Sequence, residues 1–355
     1  MRPPIILSLL LLFTTFACET TEEERKAVLP PALGNAGDVL FVADSALWAG
    51  PVGDELRELF QKPVPGVPTG EPVFFVQRVS PLDVNRFLRQ RRNLIFVHTF
   101  DEAENRATRQ LDNMLGEGVR TKAAGDTSYY SLFKDDLYAR GQAVLYLFAP
   151  TEAQLAETIR RRGDDLLNRF ENREIRGIQE VIYKDGENRE ATGKLRKQYG
   201  VRLRVPDGYE VAVEKPEFVW LRNIEAVLDR NLFVARQPYR SEAQFSRDSV
   251  LAWRDQIGRN YIFGSGTPDT TSFMMTEYYL PPFTKNTSFA GAYATEARGL
   301  WKLRNNRMGG VFVSYVVLDK AQENLYYLEG FVYAPNRDKR GYLRELEAIL
   351  KTFAT

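Results

Sequence analysis

From Asp38 onward, short apolar runs alternate with stretches whose apolar residues recur every three to four positions. Val39-Leu40-Phe41-Val42 is a continuous apolar run, as in a strand buried on both faces. Gly50-Pro51 opens a helix with Asp54 and Glu55 in its first turn, and Val52, Leu56, Leu59 and Phe60 form one apolar face. A strand over Val73–Val79 follows. Ser80-Pro81 predicts a second helix that turns Val84, Phe87 and Leu88 inward. A third strand, Leu94–Val97, leads to a helix from near Asp101 with Ala103, Ala107, Leu111 and Met114 in step. Residues 116–140 read as irregular. Ala143–Phe148 is a fourth strand, and Thr151 with Gln154 caps a helix along Leu155, Ile159, Leu166 and Phe170. The charged stretch 171–198 reads as a solvated helix or connector.

The texture changes at Tyr199. Val201 to Val205 alternates with period two, predicting a half-exposed antiparallel strand, and Pro206-Asp207-Gly208 is a turn. Glu210–Val213, Phe218–Leu221 and Leu232–Ala235 read as strands, and 243–257 as a helix. Phe312–Leu318 and Tyr326–Tyr333 form a hairpin. A closing helix faces Leu343, Leu346, Leu350 and Phe353 inward. The fold class is α+β: an N-terminal α/β unit, then a C-terminal antiparallel α+β unit ending in a helix.

The first 37 residues have no such pattern. Arg2 precedes an apolar run from Ile5 to Phe16, too short to span a bilayer as a helix and suited to an export signal. Thr15-Phe16-Ala17-Cys18 resembles the lipobox of bacterial lipoproteins, with Thr15 in place of the usual Leu. That resemblance implies cleavage before Cys18 and lipidation of its thiol. Cys18 is the single Cys of the chain, so an internal disulfide framework and multi-Cys zinc sites are excluded. Residues 1–17 then form a signal peptide and 18–37 a flexible tether, ahead of an N-terminal domain over 38–198 and a C-terminal domain over 199–355. Glu19 to Glu24 is an acidic run, read either as a surface-export signal or as a solvated tether. The expected location is the cell envelope, lipid-anchored, at the outer membrane. The 48 basic and 47 acidic residues become equal in number once Arg2 is removed with the signal, which gives no general pull toward nucleic acid.

Ordered motifs run through the folded part. They include Leu47-Trp48-Ala49-Gly50-Pro51, Pro65-Gly66-Val67-Pro68, Phe218-Val219-Trp220-Leu221-Arg222, Arg298-Gly299-Leu300-Trp301 and Glu329-Gly330-Phe331-Val332-Tyr333-Ala334-Pro335. In this series the chain resembles domain-of-unknown-function family 4837 of bacterial lipoproteins, over nearly all of the mature length. The resemblance implies a lipid-anchored envelope protein and no activity. The second half also resembles PsbP-type proteins in fold alone.

Candidate chemistry is sparse. His98, the single His, ends a strand that opens toward a helix, where α/β sheets often bind ligands; the alternative is a locally bonded buried imidazole. There is no Gly-x-Ser-x-Gly elbow. Carboxylate pairs are the remaining catalytic option, with Glu277 and Glu296 flanking an aromatic-rich segment. That segment, Tyr278–Gly310, is read as partly loop, and its Tyr293, Arg298 and Trp301 either line a binding surface or complete a core. Trp48 carries the same two readings. No metal ligand set and no cofactor is expected. The leading expectation is a non-enzymatic binding module for an envelope protein or glycan; the alternative is a lipid-anchored, carboxylate-based, glycan-directed hydrolase.

Overall fold

A computed structural model describes residues 28–264 and 271–355. Cys18 and the signal sequence lie outside the described residues. Strand β1 (Asp38–Val42) leads through a short helix α1 (Ser45–Ala49) to α2 (Pro51–Phe60). The Asp44 carboxylate accepts from the Ala46 amide and so starts α1. Next come β2 (Phe75–Val79), a 3₁₀ turn over Pro81–Asp83, α3 (Arg86–Arg89), β3 (Asn93–Thr99), α4 (Arg106–Leu115) and α5 (Glu117–Gly125). Then β4 (Ser131–Asp135), β5 (Ala143–Ala149) and a 31-residue helix α6 (Glu152–Ile182) complete the first unit. Its sheet has the order β2-β1-β3-β5-β4, parallel except for the edge strand β4. The central strands β3 and β5 are buried along nearly their whole length, which their unbroken apolar runs require.

The second unit begins with α7 (Arg189–Lys194) and a π turn to Tyr199. It continues through β6 (Glu210–Lys215), β7 (Phe218–Glu225), β8 (Leu228–Pro238), α8 (Arg247–Tyr261), β9 (Met274–Glu277) and β10 (Phe283–Phe289). It ends with β11 (Ala292–Leu303), β12 (Gly309–Asp319), β13 (Asn324–Tyr333) and α9 (Arg340–Leu350). All pairings are antiparallel, in the order β10-β11-β12-β13-β8-β7-β6, with β9 on the end of β11. Side chains alternate between two cores. Leu325, Tyr327 and Phe331 face α8, while Tyr326, Leu328 and Val332 face α9 and the first unit. The core on the α9 side runs without a break from Phe41 and Phe60 to Val313 and Leu328, so the two units share it.

Several local readings differ from the structure. Phe87 is 71% exposed, because the helix expected after Ser80 is broken into a 3₁₀ turn and one turn of α3. Asn105, not Asp101, caps α4 through a reciprocal capping box with Thr108. Residues 116–140 contain α5 and β4. Val201, Leu203 and Val205 are buried as the alternation requires, yet they form no ladder; Arg202 makes a lone bridge to Ala354. Helix α6 continues to Ile182, and Arg173, Glu174 and Ile175 in the stretch expected to be solvated are buried, Glu174 on Gly37, Arg92 and Asn93 and Arg173 beside Asp135 and Asp136. The segment 278–310 is mostly the β10–β11 hairpin rather than loop.

Candidate functional site

The two units meet at the loop between α2 and β2. Gly66 has φ +78°, and a Cβ there would lie 2.7 Å from the Gly299 amide of β11, so only glycine lets the loop rest on that strand. Beyond it, the Glu71 carboxylate accepts from the amides of Lys339 and Arg340 at 2.8–3.0 Å. A side chain of the first unit thereby caps the last helix of the second. Burial works against the Glu71 carboxylate, but those two amides and the Thr69 hydroxyl hold its pKa below the usual carboxylate range. Arg340 and Arg344 on α9 donate back to the Pro72 and Val73 carbonyls at 2.9 and 2.6 Å.

Beside this seam lies a cleft of about 470 Å³ between α6, α9 and the β10–β12 edge. Helix α9 points Arg340, Arg344, Glu347 and Lys351 toward it, a spacing that places them along one helix face. Strand β11 contributes Glu296 and Arg298, two residues apart and so on one face of the sheet. The Arg298 guanidinium bonds Glu296 and, at 3.0 Å, Glu347. The Tyr315 hydroxyl donates to Glu347 at 2.9 Å, and Lys351 approaches the same carboxylate at 3.4 Å. Burial alone would raise the Glu347 pKa; Arg298, Lys351 and Tyr315 outweigh it and hold it at about 2. Glu171 of α6 has the opposite fate. Burial, then the nearby Glu347 charge, pushes its carboxyl up, and no hydrogen bond holds it. Lys285 of β10, exposed at the rim, likewise has no ion pair.

The binding residues read from the sequence do not converge. Arg298 lines the cleft. Trp301 points to the opposite face of the same strand and is buried; its indole N–H donates to the Val332 carbonyl at 3.2 Å and its ring meets Phe331 edge-on. Gly310 sits across from it, where a Cβ would be 2.0 Å from that carbonyl. Tyr293 is half exposed and edge-on to Phe245. Trp48 packs on Phe41 in the first unit with Arg57 over its ring, far along the chain from the others. Glu277 pairs with Lys302 at 2.7 Å. It lies opposite Leu300, four residues or roughly 13 Å of backbone along β11 from Glu296, whose own carboxylate is tied to Arg298.

His98 is buried at the carboxyl end of β3. Its ring nitrogens lie 2.8 Å from Glu102 and 3.1 Å from Asp112. Burial disfavours the imidazolium, but the two carboxylates win and raise its pKa. Among the described residues, no group of three or more His, Cys, Asp or Glu side chains is arranged to hold a metal. Glu171, Tyr315 and Glu347 were not singled out from the sequence. The available signal was an acid at 347, one turn from Leu343 on the inward side of an amphipathic helix.

The fold and cleft define a two-unit α+β protein with a paired, polar seam between the units. Residues 188–352 match the family model described as Domain of unknown function (DUF4837), so the resemblance read from the motifs holds for the C-terminal unit. Residues 32–183, including the Trp48 and Pro65 motifs, match a different model, Domain of unknown function (DUF8532). No curated protein matches the chain. Among solved structures, the Ran-binding protein Mog1p of Saccharomyces cerevisiae aligns at 11% identity and TM-score 0.29, covering 44% of this chain and 91% of its own. A Mog1 point mutant aligns at 11% identity and TM-score 0.27, covering 43% and 89%.

Proposed function

We propose that the chain is a lipid-anchored protein of the bacterial cell envelope, tethered through Cys18 at the outer membrane, and that it acts by binding. The inter-unit cleft takes an envelope glycan or a segment of an envelope protein. The observation that carries the reading is the state of the cleft's charges. Arg298, Glu347, Glu296 and Tyr315 are committed to one another. Beside the buried Arg344 Nη1, which also lacks a hydrogen-bond partner, that leaves the Glu171 carboxyl and the Lys285 ammonium, a pair supplied by different units. Such a pair offers an acceptor and a donor to a polar ligand on a wall that is already rigid. The lipobox, the tether and the equal charge count support the location and argue against a polyanion partner.

The binding test is a thermal-shift screen of the full chain in detergent against saccharides and short peptides. At least one member is expected to raise Tm by several degrees at saturation, with the rise reduced in Glu171→Gln and in Lys285→Glu. A screen with no shift sinks the binding reading. The anchor is tested separately: Cys18→Ala is expected to move the protein from the membrane to the soluble fraction, and retention in the membrane would refute it.

The hydrolase reading has one observation in its favour. Glu171 and Glu347 share the cleft with pKa values driven in opposite directions, as an acid and a carboxylate of a hydrolase would need. Glycan cleavage abolished by Glu171→Gln at unchanged Tm would replace the binding reading with this one.

A further inference from the structure

A second cavity, of about 460 Å³, opens on the first unit away from the inter-unit cleft. Its position follows from the sheet. Phe148, Ala149 and Pro150 at the carboxyl end of β5 form one side, at the end of a parallel strand where open α/β sheets place ligands. The loop before β4 contributes Tyr129 and Tyr130. The first turns of α6 supply Gln154, Thr158, Arg161 and Arg162, spaced so that all four share one helix face.

The lining has a definite chemistry. Tyr129 meets Phe148 edge-on at 5.3 Å, and Ala123 and Ala149 leave a small-residue floor. The rings are held from behind or above by cations, Lys122 at 4.1 Å from the Tyr129 centroid and Arg162 at 5.6 Å from that of Tyr130. The lining carries two arginines, Arg161 and Arg162, and one acid, Glu157, which Arg160 and Arg161 already share; Lys122 lies behind Tyr129, beside Asp126. Arg162 is exposed and makes no ion pair, so its guanidinium is open to an anion.

We propose that this pocket binds a small amphipathic anion, with a flat apolar body between the tyrosines and one acidic group on Arg161 and Arg162. An uncharged sugar could use Thr127, Gln154 and Thr158 but would leave the unpaired Arg162 guanidinium without a counter-charge. An organic cation would face Arg161 and Arg162.

The test is isothermal titration of the full chain in nonionic detergent with 2-naphthalenesulfonate, with detergent alone as the blank. A saturable one-site isotherm is expected. Arg162→Glu is expected to weaken it roughly tenfold or more, the scale of a lost charge-assisted contact. Ala153→Trp, at an exposed helix position lining the pocket, is expected to abolish it while leaving the thermal unfolding midpoint in place. Uncharged 2-naphthol is expected to bind at least roughly tenfold more weakly than the sulfonate. If Ala153→Trp fails to fold, Arg162→Glu and the naphthol comparison decide. No saturable binding overturns the proposal, as does binding that survives both variants, which would place the probe on the exposed Phe87 and Leu82 surface or in the inter-unit cleft. Equal affinity for 2-naphthol overturns the anion assignment.

Discussion

Arg254→Met is expected to lower the stability of the protein by about 3–5 kcal/mol, with a fall in Tm on the order of 10 °C. Arg254 of α8 and Glu329 of β13 are both wholly buried, with 0% side-chain exposure. The guanidinium meets the carboxylate through two bonds, at 2.9 and 2.7 Å, and donates a third to the Thr276 hydroxyl at 3.1 Å. It lies 3.9 Å from the centroid of the Phe312 ring. Methionine can fill much of the aliphatic volume, so lost packing is the smaller part of the effect. The larger part is Glu329, whose carboxyl burial already pushes up to about 7 and which, without its counter-charge, must take up a proton or stand charged in the core. Glu329→Leu alone should cost a similar amount, by stranding the guanidinium. The double variant Arg254→Met/Glu329→Leu should recover most of the loss, because both charges leave together. Chemical denaturation of the four proteins forms a double-mutant cycle. Single variants within about 1 kcal/mol of wild type, the scale of a surface pair, would show that the pair is not a core lock.

The pair also shows where sequence reading stops. Glu329 belongs to a motif that is visible in the sequence, Glu329-Gly330-Phe331-Val332-Tyr333. Strand periodicity puts it on the same face as Tyr327 and Phe331, which is a core face. An acid on a core face must have a partner, but nothing in one chain says which of many arginines supplies it. The same limit applies to the cleft. Helix α9 and its inward stripe were legible from Leu343, Leu346 and Leu350, and the order of strands and helices gave the fold class. The seam was not legible, because it depends on residues 268 and 271 positions apart, Glu71 with Lys339 and Val73 with Arg344. Aromatics misled for a related reason. Trp301 and Arg298 are three apart on a strand, so they face opposite ways, and a cluster in sequence becomes two different environments. The β10–β11 hairpin reads as partly loop because the segment holds Pro281, Pro282, Gly291 and Gly299, and its outer strand, a mostly polar exposed edge, has no apolar run to mark it.

Arg298 makes the counterpart of the Arg254 lock on the other face of the sheet, at the less buried cleft wall, and its loss is expected to carry a pH signature. Arg298→Met should destabilise by about 2–3 kcal/mol at neutral pH, less than a fully buried pair, since Glu296 and Glu347, 15% and 12% exposed, both lose this counter-charge while Glu347 keeps Lys351. In the native protein the Glu347 pKa is about 2, against an ordinary 4.5. A carboxyl depressed in this way contributes stability that is fully present above about pH 4.5 and is lost as pH falls toward 2. Without Arg298 the carboxyl keeps Tyr315 and Lys351 but loses its strongest partner, and its burial is then free to raise the pKa. The variant should therefore lose its stability gain at higher pH than wild type, and the difference between the two should shrink as Glu347 becomes protonated in both. Unfolding midpoints measured from pH 2 to 7 separate the cases. Parallel profiles, offset but of one shape, would mean that Arg298 acts through packing alone. A profile whose acid limb moves upward assigns the charge, and it does so with no ligand in the cleft. Arg298 would then set the rigidity of the wall from which Glu171 and Lys285 reach a ligand, rather than contact that ligand itself.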